Sequence, residues 1–271
     1  MLVDYREHRP DAPLNAFVAR MAYGHFTGPI QPEQLAPDSY IKLALIIEGE
    51  PLYFNGSGER MEWHDGFCGH VPPEQGIITY NTEPIRCLMA NFYPSGFHRL
   101  FGLDVTLFNG RMIRPGEVLG GRAERLYEAL RNTNDPLRMF ELVEGTILEH
   151  VQRLSSMGSS IIQVLESHIR ERKGLVPVSE LARIAGMSER SLQRRFKKEI
   201  GLGPKEFCSV VRFNHVYSHM QRTRKLDLDI ALQCGYFDES HMLKDLRYYL
   251  GKAPKRFADM IRPMVDASLG Q

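Results

Sequence analysis

Between Ile41 and Tyr93 the apolar positions fall in short runs set off by Gly and Pro. Ile41 to Ile47 (IKLALII) comes first, and Leu52 to Asn55 follows across the Glu48-Gly49-Glu50-Pro51 turn. Gly66 to Val71, Gly76 to Tyr80 and Ile85 to Tyr93 continue the series. Short runs at close spacing, with no helical period between them, predict antiparallel strands in a sandwich or barrel and disfavour a parallel βαβ sheet. Upstream, Met1 to Tyr40 reads as irregular, broken by Pro10, Pro13, Pro29, Pro32 and Pro37. After Pro94 the period becomes helical. Ser95 to Phe101, Ala123 to Leu130 and Pro136 to Leu154 read as helices. In the last, Met139, Phe140, Val143, Ile147, Leu148 and Val151 form an apolar stripe that either seals the barrel or makes a dimer seam.

Residues 154–160 (LSSMGSS) are small, polar and flexible, the best domain boundary in the chain. The division that follows is 1–154, a β-rich unit with helices at its end, 155–160 as linker, and 161–271 as an all-helical unit. Ile161 to Arg172 reads as a helix stopped by Gly174. Next come a short helix, Ser179 to Ala185, a turn at Gly186, and a second helix from Glu189 to Ile200 with Ser188 at its N-cap. On the second helix Leu192, Phe196 and Ile200 make an apolar stripe, and Arg190, Gln193, Arg194 and Lys197 make a row of hydrogen-bond donors. That is the pattern of a helix-turn-helix, whose second helix enters the DNA major groove. The bland alternative is an amphipathic surface helix.

A repeat argues against the bland reading. After a long connecting helix from Pro204 to Arg222, Leu181-Ala182 and Gly186 recur forty-nine residues on as Ile230-Ala231 and Gly235. Gly201, Pro204, Lys205 and Phe207 recur fifty residues on as Gly251, Pro254, Lys255 and Phe257, so the second turn is one residue longer. Met242, Leu246 and Leu250 answer the first apolar stripe. Two such units on one connecting helix would set their recognition helices about one DNA turn, ~34 Å, apart.

The net charge of +1 on 271 residues names no partner, but its distribution does. Ser160 to Arg262 holds 20 Lys and Arg against 12 Asp and Glu, a net +8, leaving −7 on the remainder. One half therefore suits a polyanion. The longest apolar runs are far too short to cross a bilayer, and Met1 to Pro13 has no secretory h-region, so no membrane partner is expected. Cys68, Cys87, Cys208 and Cys234 are scattered with no C-x-x-C, which fits a reducing cytoplasm.

The strand segments carry Lys42, Tyr53, Trp63, His70, Tyr80 and Arg86, candidates for a small-molecule pocket, since barrels of this size hold one ligand. Asp65-Gly66 between His64 and His70 reads as a turn, and no paired H-x-H with a nearby Glu occurs, so no metal is expected. Nucleophile elbow, phosphate loop and metal cluster are all missing, so the chain reads as a non-enzyme without a cofactor.

The segments SELARIAGMSERSLQRRFKKEIGLGPKEF and DIALQCGYFDESHMLKDLRYYLGKAPKRF resemble the AraC/XylS family of bacterial transcription regulators. The resemblance covers about the last hundred residues. Ala90 to Leu154 is more weakly similar to the N-terminal domain of one subgroup and brings no effector with it. The resemblance implies an α+β chain: an N-terminal β-barrel or sandwich that binds an effector or dimerises, and a C-terminal all-α domain with two helix-turn-helix units. It implies sequence-specific binding of double-stranded DNA by a homodimer, with RNA polymerase as a further partner. Base-reading positions carry over to Arg190, Gln193 and Arg194, and in the second unit to Glu239, Ser240 and Lys244. Lys197, Lys198, Arg195, Lys205 and Arg247 read as phosphate contacts or solvated charges. The second unit departs from the pattern: Met242 replaces an early aromatic, Leu243 a small polar residue, and Glu239 and Asp245 add negative charge at the groove face. The first unit is therefore expected to read most bases. Two alternatives stand beside this reading: a β-barrel enzyme fused to a DNA-binding tail, and a regulator without a small-molecule effector.

Overall fold

A computed structural model of the chain describes residues 2–28, 30–73, 76–81, 83–151, 160–223 and 228–250. The strands are β1 (Leu2–His8), β2 (Val18–Phe26), β3 (Ile30–Gln34), β4 (Ile41–Glu48), β5 (Leu52–Phe54), β6 (Gly66–Cys68), β7 (Ile78–Asn81), β8 (Ile85–Phe92) and β9 (Met112–Ile113). All pairings among them are antiparallel, in a six-stranded sheet of order β1-β2-β8-β4-β6-β9 and a three-stranded sheet of order β3-β7-β5. The first forty residues thus correct the sequence reading, which has no strand there. Pro10 and Pro13 lie in the connection between β1 and β2, outside both ladders. β2 escapes notice because neither of its faces meets water, so VARMAYGHF shows no polar alternation.

β4 shows why two layers form. Ile41, Leu43, Leu45 and Ile47 point to one face and are buried; Lys42, Ala44 and Ile46 point to the other. β8 repeats the rule, with Leu88, Ala90 and Phe92 on the first face. Helices cover that face: α1 (Pro94–Phe101), α2 (Pro115–Leu119), α3 (Arg122–Arg131) and α4 (Pro136–Val151). Phe67, Phe92, Phe97 and Phe101 pack ring against ring there, with Phe108 from a 3-10 turn, Val105–Phe108. The α4 stripe is spent in the same core: Met139, Phe140, Val143 and Ile147 are buried in it. It seals the β unit and is not left over as a dimer seam.

The remaining helices are α5 (Ile161–Glu171), α6 (Val178–Ala185), α7 (Glu189–Ile200), α8 (Pro204–Thr223), α9 (Leu228–Gln233) and α10 (Glu239–Leu250). Their buried residues form a second core running from Ile162 to Leu250. Most of the inferred linker, and the repeat positions Gly251, Pro254, Lys255 and Phe257, lie outside the described residues. No described helix is long and apolar enough to cross a membrane.

Candidate nucleic-acid interface and the cavity between the sheets

α7 begins where Ser188 Oγ accepts the Ser191 amide at 3.3 Å, satisfying one of the four free amides of the helix start. Gly186, at φ 61°, closes α6 and sets the angle between the two helices. Leu192, Phe196 and Ile200 are buried, and the Phe196 ring meets Phe207 of α8 at 5.7 Å. Burying that stripe fixes the rotation of α7 about its axis. The opposite face follows from it: Arg190, Gln193, Arg194 and Lys197 are all exposed. The row can form bidentate bonds to guanine through Arg and to adenine through Gln. Arg195 stands apart, held by Glu199 at 2.6 Å.

In the second unit Met242, Leu246 and Leu250 are buried, and Glu239, Ser240, Lys244 and Arg247 are exposed. Asp245 corrects an expectation. Its carboxylate turns inward to Arg212 of α8 at 3.7 Å, and Arg212 also lies 5.0 Å over the Tyr236 ring. The charge expected to repel phosphate is engaged inside the fold, bracing α10 on α8.

A cavity of about 250 Å³ lies between the two sheets. Lys42, Tyr53, Trp63 and Tyr80 line it, with Met89 and Ile46. Tyr53 and Trp63 rings stand 5.6 Å apart, and Tyr80 stacks on Phe54 at 5.3 Å. An ion pair stands in its wall, Lys42 Nζ lying 3.0 Å from Asp38 Oδ2, and Tyr5, Thr79 and Asn81 also line it. Burial alone would raise the Asp38 carboxyl; Lys42, with Arg20 and the Ser39 amide, more than offsets this and holds it below the ordinary carboxylate range. Burial also pushes the Cys68 and Cys87 thiols in the wall up to about 12, so they stay protonated at neutral pH. Asp38 is absent from the sequence-derived candidates. The available signal is its position four residues before Lys42.

Two candidates do not face this cavity. Arg86 is on the helix-covered face of β8 by strand alternation and pairs with Glu48 at 3.3 Å. His70 lies beyond β6, where its carbonyl accepts from Gly110 and its amide donates to Asn109 Oδ1. Asn109 Nδ2 in turn donates to Gly201 O at the end of α7, at 2.8 Å. His70 therefore helps join the two cores. Among the described residues, no three His, Cys, Asp or Glu side chains gather as metal ligands would.

Residues 181–260 match the family model described as a helix-turn-helix domain. The C-terminal region is an AraC-type helix-turn-helix domain. The match spans both units on either side of α8. An uncharacterised helix-turn-helix-type transcriptional regulator of Haemophilus influenzae is 30% identical over 191 residues, 70% of this chain and 61% of that protein. One from Staphylococcus aureus strain MSSA476 is 26% identical over 99 residues, 36% of this chain. The chain spans only 13% of the length of that staphylococcal relative. Among solved structures, ToxT from Vibrio cholerae aligns over 96% of this chain and 99% of its own, at 12% identity and a TM-score of 0.45. The matched region includes α7, whose exposed donor row faces away from the core that α6, α7 and α8 share.

Proposed function

We propose that this chain is a sequence-specific DNA-binding transcription regulator whose two-sheet unit takes up a small effector. The observation that carries the reading is the α7 face. Four long donor side chains, Arg190, Gln193, Arg194 and Lys197, stand exposed on the helix whose other stripe is buried. A solvated surface helix carries polar residues of any kind on that face; a helix entering the major groove needs hydrogen-bond donors, and all four of these are donors. Glu239, Ser240, Lys244 and Arg247 extend the interface on α10, with the first unit reading most bases. Two separate apolar cores support a division into a β-rich unit and a helical unit.

The cavity supports the sensing half of the reading. It is largely apolar, with one ion pair, Lys42–Asp38, in its wall, which suits a small apolar molecule bearing one polar group. Lys42, Tyr53, Trp63 and Tyr80 are the proposed ligand contacts. Four free cysteines among the described residues support a reducing, cytoplasmic setting. Homodimerisation and contact with RNA polymerase belong to the same reading and rest on the family resemblance.

Footprinting on the promoter beside the gene tests the first half: protection of two adjacent major-groove segments is expected, and uniform, sequence-independent protection would overturn it. A thermal-shift screen tests the second. A molecule that fills the cavity raises the melting temperature of the wild-type chain and raises it less for Lys42→Met.

A further inference from the structure

The extra residue in the second helix-turn-helix is Phe237. The first turn runs Gly186-Met187-Ser188 into α7, and the second runs Gly235-Tyr236-Phe237-Asp238 into α10. Phe237 is 86% exposed, the most solvent-open of the large apolar side chains described. It sits just before the N-cap, where an apolar residue ordinarily packs onto the fourth residue of the helix. That residue, Met242, is fully buried, and Tyr236 is the aromatic that goes inside. Phe237 does not staple the helix.

Nor is it left loose. Asp238 Oδ1 accepts the His241 amide at 2.7 Å, and His241 Nδ1 accepts the Phe237 amide at 3.3 Å. This reciprocal pair closes the first turn of α10 and fixes the backbone that presents the ring. The ring is therefore carried at the leading end of the second recognition helix, the end whose residues meet base edges in a helix-turn-helix.

The surrounding face fits an apolar reader. Fifty residues after Gln193 stands Leu243, half-buried, so a hydrogen-bonding position of the first unit is apolar in the second. Asp238 and Glu239 are exposed carboxylates beside Phe237 and disfavour a phosphate there. Arg247 lies further along the exposed face, where it can hold the backbone. The apolar feature that B-DNA offers in the major groove is the C5-methyl of thymine. Resting on the regulator reading above, we propose that Phe237 is a specificity-determining residue that reads a thymine methyl in the second half of the site, by apolar contact where the first unit uses hydrogen bonds.

The test uses the full chain and a random duplex library. The wild type should enrich a site with a fixed thymine in the segment contacted by α10. Replacing that thymine by deoxyuridine removes only the methyl and should weaken binding about fourfold, the factor for one buried methyl group. Phe237→Ala should bind thymine and deoxyuridine sites equally, with an unchanged melting temperature, and Phe237→Leu should keep most of the discrimination. If Phe237→Ala discriminates as the wild type does, the inference is overturned while the regulator reading stands. A Phe237→Ala chain that keeps its DNA discrimination but loses transcription with polymerase also overturns it and assigns the ring to a protein partner. A wild type that enriches no sequence overturns both.

Discussion

Arg194 and Lys197 lie on one exposed face of α7, yet their chemistry separates them. A guanidinium can grip guanine O6 and N7 together, whereas an ammonium is a point charge suited to phosphate. Arg194→Ala should relax preference at one base pair by about 1–3 kcal/mol in a binding-site selection. Lys197→Ala should weaken all sequences alike and lower the slope of log K against log salt by about 0.9. If Arg194→Ala lowers affinity uniformly, Arg194 touches backbone. A second prediction concerns Lys42–Asp38. The folded Asp38 carboxyl lies below its ordinary range, so its ion pair stabilises the fold above about pH 4 and loses that contribution as pH falls through the folded value. Lys42→Met should cost about 1–3 kcal/mol at neutral pH, less than a fully buried pair because Lys42 is 37% exposed. The gap between variant and wild type should close on acidification, as followed by denaturant unfolding across pH. Individual residues were legible where periodicity orients them, as on α7. They were not where strand parity decides: Arg86 belongs to the wrong face of β8, and no spacing in the sequence announces which face of a doubly buried strand meets the cavity.

Elements were read best where a helical stripe has one buried side. The α6–α7 pair shows itself through Ser188, Gly186 and the Leu192, Phe196, Ile200 stripe, because each residue type answers a local demand. β1 and β2 were invisible for the converse reason: prolines beside them dominate the local pattern, and the burial of β2 on both sides comes from elements far along the chain. The same contrast separates two glycines. Gly186 has φ 61° with open space where a Cβ would stand, so Gly186→Ala should cost only the left-handed penalty, about 1–2 kcal/mol. Gly174 has φ 78°, and a Cβ there would stand 2.2 Å from the Cys208 carbonyl oxygen of α8. Gly174→Ala must therefore push α8 away from the end of α5, and its loss of stability in denaturant titration should exceed that of Gly186→Ala by a clear margin. Equal losses would mean that α8 shifts freely at that point.

At the scale of the molecule the question is how the two cores are held to one another. Glu166 of α5 is buried and accepts from the Ser95 amide at 3.0 Å and from its hydroxyl, at the start of α1. The same carboxylate pairs with Arg170 at 2.7 Å, and Arg170 donates to Ser39 Oγ and O at 2.9 and 2.6 Å. The Arg170 guanidinium also lies 4.3 Å over Tyr40 and 5.2 Å over Phe207, so one side chain touches both units. Ser39 follows Asp38, whose other partner is Lys42 in the cavity wall, which puts the cavity and the helical unit one residue apart. Glu166→Ala leaves a buried guanidinium without its carboxylate, an arrangement that costs about 3–5 kcal/mol. Each core retains its own apolar cluster, so the loss should fall on their union: thermal unfolding should split from one transition into two, the helical unit keeping its helicity through the first. Glu166→Gln, which can still bond Ser95 but carries no charge, should shift the transition less. A single unshifted transition for Glu166→Ala would mean that the other links between the units, Asn109 Nδ2 to Gly201 O and Arg170 to Ser39 among them, hold them together without this carboxylate. In that event the polar route from Lys42 through Asp38, Ser39 and Arg170 to the helical unit stands without Glu166.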